Sequence, residues 1–327
     1  MRHSIDELVS VIVPVYNTCS DFLSECFESV ENQKSVNVEL VIVNDGSTEE
    51  ETNLFCRQYA EKHRGFVIYI EKQNQGVSVA RKTGLEHSGG KSVMFLDSDD
   101  SLMPDAIRRL LEVLIKQEAD AVIGEDYVRN DFCAQVIYEK EEILKALLDN
   151  REASFGWALW AKLFDADCMT KYYRAYPDIY YGEDLLVNAE FFRHADRVVI
   201  INEKVYNYRA DNQVSATHQK ITPKKLSLIK MWAQMEKIYI SCELFIEAKR
   251  IRANYYDSVL NGLIECEYYH YEGYRKLTKS YRDILKNNIK DIKNNEFISG
   301  KHKYIIAIYA IWLFKLKRAI LKHDLQK

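Results

Sequence analysis

No CxxC pair occurs among the seven cysteines (Cys19, Cys26, Cys56, Cys133, Cys168, Cys242 and Cys266), and their number is odd. That scatter points to neither a disulfide framework nor a zinc site, and fits buried thiols in a reducing compartment. A basic excess is missing too. At a formal net charge of -4 the chain lacks the positive surface that phosphate tracking requires, so no nucleic-acid partner is expected. No window approaches the run of about eighteen apolar residues that a membrane span needs. The opening MRHSIDELVS carries no signal-type apolar stretch, which makes a cytoplasmic location the expectation. No repeat, low-complexity tract or Gly/Ser/Pro linker divides the chain, so its parts should pack rather than tether.

What is there is an ordinary globular balance, 47% hydrophobic and 29% charged over 327 residues. The first 125 residues alternate short β-branched runs with amphipathic stretches, the pattern of a parallel sheet covered by helices. Val9 to Val15, Glu39 to Val43, Phe66 to Glu71, Ser92 to Leu96 and Ala121 to Gly124 read as strands. Phe22, Leu23, Cys26, Phe27 and Val30 make one helix face, Ser47-Thr48-Glu49-Glu50 reads as a capping box, and Pro104 reads as a first helical turn. Residues 126 to 220 are mixed and aromatic-rich, and from about Pro223 the chain is helical in character.

The sharpest feature is VMFLDSDDS, where a strand-like run ends in Asp97, Asp99 and Asp100. Carboxylates this close repel one another and need a cation, hydrogen-bond donors or solvent. A solvated loop capping the next helix explains one aspartate and not three. Hard oxygens in a loop suit Mg²⁺ or Mn²⁺, which bridge a few carboxylates to a substrate's phosphates. The Asp-x-Asp spacing aims Asp97 and Asp99 the same way from extended chain.

The other polar motifs also fall at strand or helix ends. PVYN delivers Tyr16 to the tip of the first strand, to stack on a flat ligand such as a nucleobase or to begin a helix in the core. NDGS offers Asp45 beside it, able to accept from a base N–H or a ribose hydroxyl, or to make an ordinary turn. NQGVSVARKTG sets a glycine at a helix entrance and Arg81 one turn in, an anion site or a solvated surface arginine. YYGEDLLVNAEFF opens a helix with Glu183 and Asp184, where acids suit the dipole and one facing a substrate hydroxyl can act as general base.

Together SVIVPVYN, VIVNDGST, NQGVSVARKTG, FLDSDDSLMPDAI and GED resemble family 2 glycosyltransferases of the GT-A fold, especially bacterial enzymes that assemble capsule, O-antigen or other cell-surface glycans. The resemblance implies an α/β GT-A domain over 1–220, Rossmann-like with a mostly parallel sheet flanked by helices. Its nucleotide-binding half would be 1–125 and its acceptor-side half 126–220, with a helical region over 221–327. It implies a UDP-sugar donor held by Pro14, Val15 and Tyr16 against the uracil, Asp45 on uracil or ribose, Arg81 near base or phosphates, and Asp97 on the ribose side. Asp99 would hold Mn²⁺ or Mg²⁺, and Asp184 would be the base. The segment Val205 to Ser215 resembles the region closing the donor pocket, which brings Arg209 to the diphosphate, and His218 is either a further metal ligand or an ordinary surface residue. Trp157, Trp160 and Glu183 fall on the acceptor side, where the tryptophans bind sugar or fill core. Lys82 departs from the family, which usually has asparagine after the arginine.

The implied reaction is metal-dependent transfer of a sugar, with inversion, to a hydroxyl of a glycan or lipid-linked acceptor. FLDSDDS also resembles the phosphatase motif of haloacid-dehalogenase enzymes, which normally follows the first strand. A non-catalytic, membrane-peripheral assembly protein of the same fold is the other alternative. YIIAIYAIWLF, Tyr304 to Phe314, has Lys301, Lys303, Lys315, Lys317 and Arg318 on its flanks. Residues 301–320 are therefore expected to lie on a membrane surface, or to be buried against the rest of the chain or a second copy in a homo-oligomer.

Overall fold

Five β-branched residues in LVSVIVPV favour extended chain, and they form β1 (Leu8–Val15), buried at every position after Leu8. The computed structural model describes residues 2–127, 135–139, 142–148, 157–209, 226–269 and 274–310. After β1 come α1 (Ser20–Glu31), β2 (Asn37–Asn44), α2 (Glu50–Lys62), β3 (Val67–Glu71), α3 (Val77–His87) and β4 (Ser92–Phe95). Next are β5 (Ser101–Leu102), α4 (Ala106–Gln117), β6 (Ala121–Glu125), β7 (Gln135–Glu139), α5 (Glu142–Leu147), β8 (Lys162–Asp165), α6 (Ala166–Tyr172), α7 (Glu183–Phe192), β9 (Arg197–Lys204) and β10 (Tyr206–Asn207).

The main sheet has the order β3-β2-β1-β4-β8-β6-β9-β7. β1 to β4 are parallel, as are β6 and β9, while β8 and β7 run antiparallel to their neighbours. Helices cover both faces, so the central strands are apolar on both. Val11 and Val13 pack with Leu23 and Phe27 of α1 and Leu110 and Leu114 of α4. Ile12 and Val43 face α3, which approaches so closely that a Cβ at Gly84 would lie 2.4 Å from Ile12 Cγ2.

Two local expectations are corrected. Ser47 is not the cap of α2, which opens at Glu50 after Glu49 with no side-chain cap. The Asn17 and Asn44 side chains instead accept the N–H groups of Thr48 and Ser47, at 2.7 and 2.9 Å, so the NDGS loop is held from outside the helix. Pro104 is not in the first turn of α4, because Asp105 adopts a left-handed conformation at φ 56° and the helix opens only at Ala106.

The chain divides into two units, Met1–Asp178 with Gly182–Gln219, and Ile179–Tyr181 with Lys220–Lys327. The second unit holds α8 (Ser227–Ser241), α9 (Phe245–Tyr269), α10 (Tyr274–Asn287), α11 (Ile289–Asn294) and α12 (His302–Tyr309). Val259, Leu263, Leu285, Ile292 and Tyr304 form its core. Lys303 and the Tyr304 hydroxyl both donate to Asp257 Oδ1, at 2.7 and 2.6 Å, and fix the start of α12. Residues 311–320 lie outside the described residues. No helix among the described residues is long and apolar enough to cross a membrane.

Candidate active site

Because β1, β2 and β4 run parallel, Val15, Asn44 and Leu96 hand their successors to the same edge of the sheet, where open α/β folds bind ligands. Pro14 lies beyond the last β1–β4 pair, Ile12↔Phe95, where one neighbouring strand has already ended. Pro14 and Val15 are buried, and Tyr16 just past them is 50% exposed.

Asp45 commits its carboxylate to the loop before α3. Lys72 Nζ and the Gln75 N–H donate to Oδ1 at 2.7 and 3.1 Å, and the Gly76 N–H donates to Oδ2 at 2.8 Å. A base or ribose would meet Asp45 in competition with those bonds. Gly46 takes φ +70°, and a Cβ there would stand 2.6 Å from the Asn74 nitrogen, so this turn requires glycine.

Arg81 is no solvated surface residue: its side chain is 4% exposed. From the second turn of α3, Nη2 donates to Asp97 Oδ1 at 2.7 Å and Nη1 to Asp184 Oδ1 at 2.5 Å. Two motifs 87 positions apart in sequence, Asp97 and Asp184, thus meet on one guanidinium. Lys82 faces solvent and pairs with Glu86 at 3.6 Å.

Asp100 points inward. Its Oδ2 accepts from the Tyr206 hydroxyl at 2.7 Å and its Oδ1 from the Arg209 N–H at 2.8 Å. Burial, and then Asp97, push its carboxyl up to about 7 against the pull of those two donors. The Tyr206 hydroxyl also accepts from the Asp97 N–H at 3.2 Å, so one buried phenol fixes both ends of the acidic turn. Arg209 braces the same turn, with Nε donating to the Asp99 carbonyl oxygen at 2.9 Å, Nη2 on Glu25 Oε2, and the guanidinium 4.3 Å from the Phe22 ring centroid.

Gly182 at φ +81° turns the chain into α7. Asp184 follows, with Oδ2 accepting from the Leu159 N–H at 3.3 Å. Burial raises the Asp184 carboxyl; Arg81 pulls it down without overcoming burial and the charge of Asp97. Burial, with Asp184 beside it, pushes Glu183 up to about 7. Trp157 is 44% exposed, whereas Trp160 is stacked against Tyr206 and Tyr208 at centroid distances of 4.8 and 6.0 Å. His218 lies outside the described residues.

The donor set fits a hard divalent ion of the Mg²⁺ or Mn²⁺ kind. Asp97 and Asp99 sit half-buried on the turn. Among the described residues no three His, Cys, Asp or Glu side chains converge into a self-sufficient cage. One or two carboxylates completed by substrate phosphates are what such ions ordinarily use. The sequence reading missed Tyr206 and Lys162. VYNYR held a signal for the first, since β10 pairs antiparallel with β5 directly after the acidic turn, Tyr206 opposite Leu102.

The sequence model of the family described as "Glycosyl transferase family 2" matches residues 10–173. The chain is 32% identical over 225 residues to the glycosyltransferase GlyA of Streptococcus pneumoniae, covering 63% of this chain and 31% of GlyA. It is 30% identical over 227 residues to the uncharacterized glycosyltransferase EpsJ of Bacillus subtilis, covering 66% of this chain and 64% of EpsJ. Both matches span less than two thirds of the relative's length. A structure of S. aureus TarS 1-349 in complex with UDP-GlcNAc superposes with a TM-score of 0.61 at 18% identity, covering 91% of this chain and 86% of that one. At that identity the likeness establishes the fold.

Proposed function

Since this chain belongs to glycosyl transferase family 2, we propose that it transfers a sugar from a UDP-sugar to a hydroxyl of a cell-surface glycan or lipid-linked acceptor, with inversion at the anomeric carbon. The observation that carries the reading is the meeting of Asp97 and Asp184 on Arg81 at the carboxyl ends of β1 to β4. Tyr16 stacks on the uracil from its exposed position at the tip of β1. Asp97 lies toward the ribose, and Asp45 shapes the loop on the base side. Arg209 holds the acidic turn and meets the diphosphate from there. Asp184 takes the proton of the acceptor hydroxyl as that oxygen attacks from the face opposite the leaving diphosphate. A carboxyl raised by burial is a stronger base than an ordinary one, and Arg81 offsets part of that rise. Trp157 and Glu183 line the acceptor side.

Asp99, with His218 as a second donor, would hold Mn²⁺ or Mg²⁺. When bound, that ion neutralises charge growing on the departing diphosphate. The haloacid-dehalogenase reading loses its ground, because the acidic segment follows β4 rather than the first strand. Peripheral membrane contact through 301–320 and self-association belong to the same proposal, supported by Ile305 and Tyr309, 39% and 70% exposed on α12.

The test is slow hydrolysis of a panel of UDP-, GDP- and dTDP-sugars without acceptor, with and without Mn²⁺. Turnover confined to UDP-sugars, dependent on metal and abolished in Asp99→Asn, is the expected result. Hydrolysis of none of them, or UDP affinity equal with and without metal in calorimetry, would count against the proposal.

A further inference from the structure

The Ala158–Leu159 peptide group is gripped from both sides. Its carbonyl oxygen accepts from the Lys162 ammonium at 2.5 Å and from Asn188 Nδ2 at 2.8 Å, while its N–H donates to Asp184 Oδ2 at 3.3 Å. Lys162 opens β8 opposite Ile123 of β6, and Lys162 and Asn188 are both fully buried. The residue before Lys162, Ala161, has φ +57°, a conformation that costs a residue with a Cβ about 1 kcal/mol or more. It is held there by the Gly124 N–H, which donates to the Ala161 carbonyl oxygen at 2.8 Å.

A buried ammonium is costly, and a well-packed apolar side chain would fill this place at less expense. Burial lowers Lys162 to about 7, against the opposing charges of Asp184 and Glu125. Below about pH 7 the group is a cation, and the carbonyl oxygens it meets are those of Ala158, at 2.5 Å, and Trp160, at 3.5 Å. An ammonium on a carbonyl oxygen draws electron density out of the amide, which makes the N–H of that same group a stronger donor. That N–H ends on Asp184.

We propose that Lys162 is a positioning residue for catalysis, acting through the Ala158–Leu159 peptide to fix the Asp184 carboxylate in the rotamer that faces the acceptor. The inference rests on the reading of Asp184 as the base. With Oδ1 on Arg81 and Oδ2 on Leu159, each carboxylate oxygen has one donor among the described residues, and the plane of the carboxylate is set. Among the described residues the charged and titratable groups facing Asp184 are Arg81, Lys162, Asp97, Glu183 and Tyr173.

Lys162→Met keeps the stem and removes the charge. With the UDP-sugar that the wild-type chain hydrolyses, its kcat should fall on the order of 10-fold with UDP affinity unchanged. The acid limb of the kcat profile should move to higher pH, because Asp184 loses a neighbouring cation and part of its N–H bond. In ¹H–¹⁵N spectra the Leu159 amide proton should move upfield. Wild-type turnover, or a fall in turnover with the acid limb and the Leu159 amide unmoved, would overturn the proposal. Should Lys162→Met not fold, Lys162→Gln, which keeps a donor but no charge, is read by the same three measurements with the same expectations. Asp184→Asn run alongside separates the two claims. If it retains wild-type turnover the base reading itself is lost, whereas an inactive Asp184→Asn beside a wild-type-like Lys162→Met removes only the positioning role.

Discussion

Buried ionic clusters stand at both ends of β4, and they resolve their charges in opposite ways. At the Ser92 end, Arg2 reaches Asp120 and Asp165 at 2.6 and 2.8 Å, and His3 lies between Glu7 and Asp165 at 2.9 and 3.1 Å. Burial works against the His3 imidazolium, but its hydrogen bonds to Asp165 and Glu7 outweigh it and raise the pKa. Burial likewise works against the Asp165 carboxylate, and the His3 bond, the Cys168 N–H and Arg2 together bring it below its ordinary range. At the other end the shifts are upward: Asp100 and Glu183 reach about 7 and Asp184 is raised, although Arg81 bonds Asp184 as closely as Arg2 bonds Asp165. Arginine contact does not separate the two clusters. Donors per carboxylate do, and a cluster with carboxylates still short of positive charge is the one built to receive a ligand.

The contrast can be broken from either end. Arg81→Gln should have the largest effect on stability, about 3 kcal/mol by urea denaturation, since it strands Asp97 and Asp184 without their cation. The loss should shrink toward acid, where the raised Asp184 carboxyl takes up a proton. An unchanged midpoint at neutral pH would mean that the site end is not electrostatically short. His3→Gln comes next, at roughly 1–3 kcal/mol. The folded-state pKa of His3 is raised, so its contribution is complete below about 6.5 and disappears as pH rises through the raised value. The difference in Tm between variant and wild type should therefore be wide in mild acid and narrow in alkali; the opposite trend would refute the pairing.

Tyr16→Ala should leave stability alone and weaken UDP binding by about 1 kcal/mol, read by calorimetry. A stability loss without an affinity loss would make Tyr16 a packing residue. Glu183→Gln should have the smallest effect, lowering turnover by less than Asp184→Asn does, since adjacent positions at a helix start diverge by about 100°. A larger fall than in Asp184→Asn would exchange their roles.

Much of the first unit was legible because its strands are short β-branched runs that end in polar motifs, and a parallel sheet must bring those ends to one edge. Asp97, Asp184 and Arg81 could each be singled out, but not their contact. Whether Arg81 faced solvent or the interior depended on the tertiary meeting of α3, the acidic turn and α7. The capping-box pattern misled because Asn17 and Asn44, distant in sequence or on the strand itself, took the loop N–H groups first. Lys162 in AKLF carried no sequence signal, since a lysine at a strand start is ordinarily solvated, and only the turn through Ala161 sends it inward.

The most direct measurement on the central claim is made with Asp184→Asn under saturating Mn²⁺: the turnover of the UDP-sugar that the wild-type chain accepts, and UDP affinity in the same preparation. The account predicts a fall in kcat of roughly 10²–10⁴-fold with metal-dependent UDP binding intact, the signature of a lost base in an otherwise whole site. Turnover near the wild-type value would contradict it.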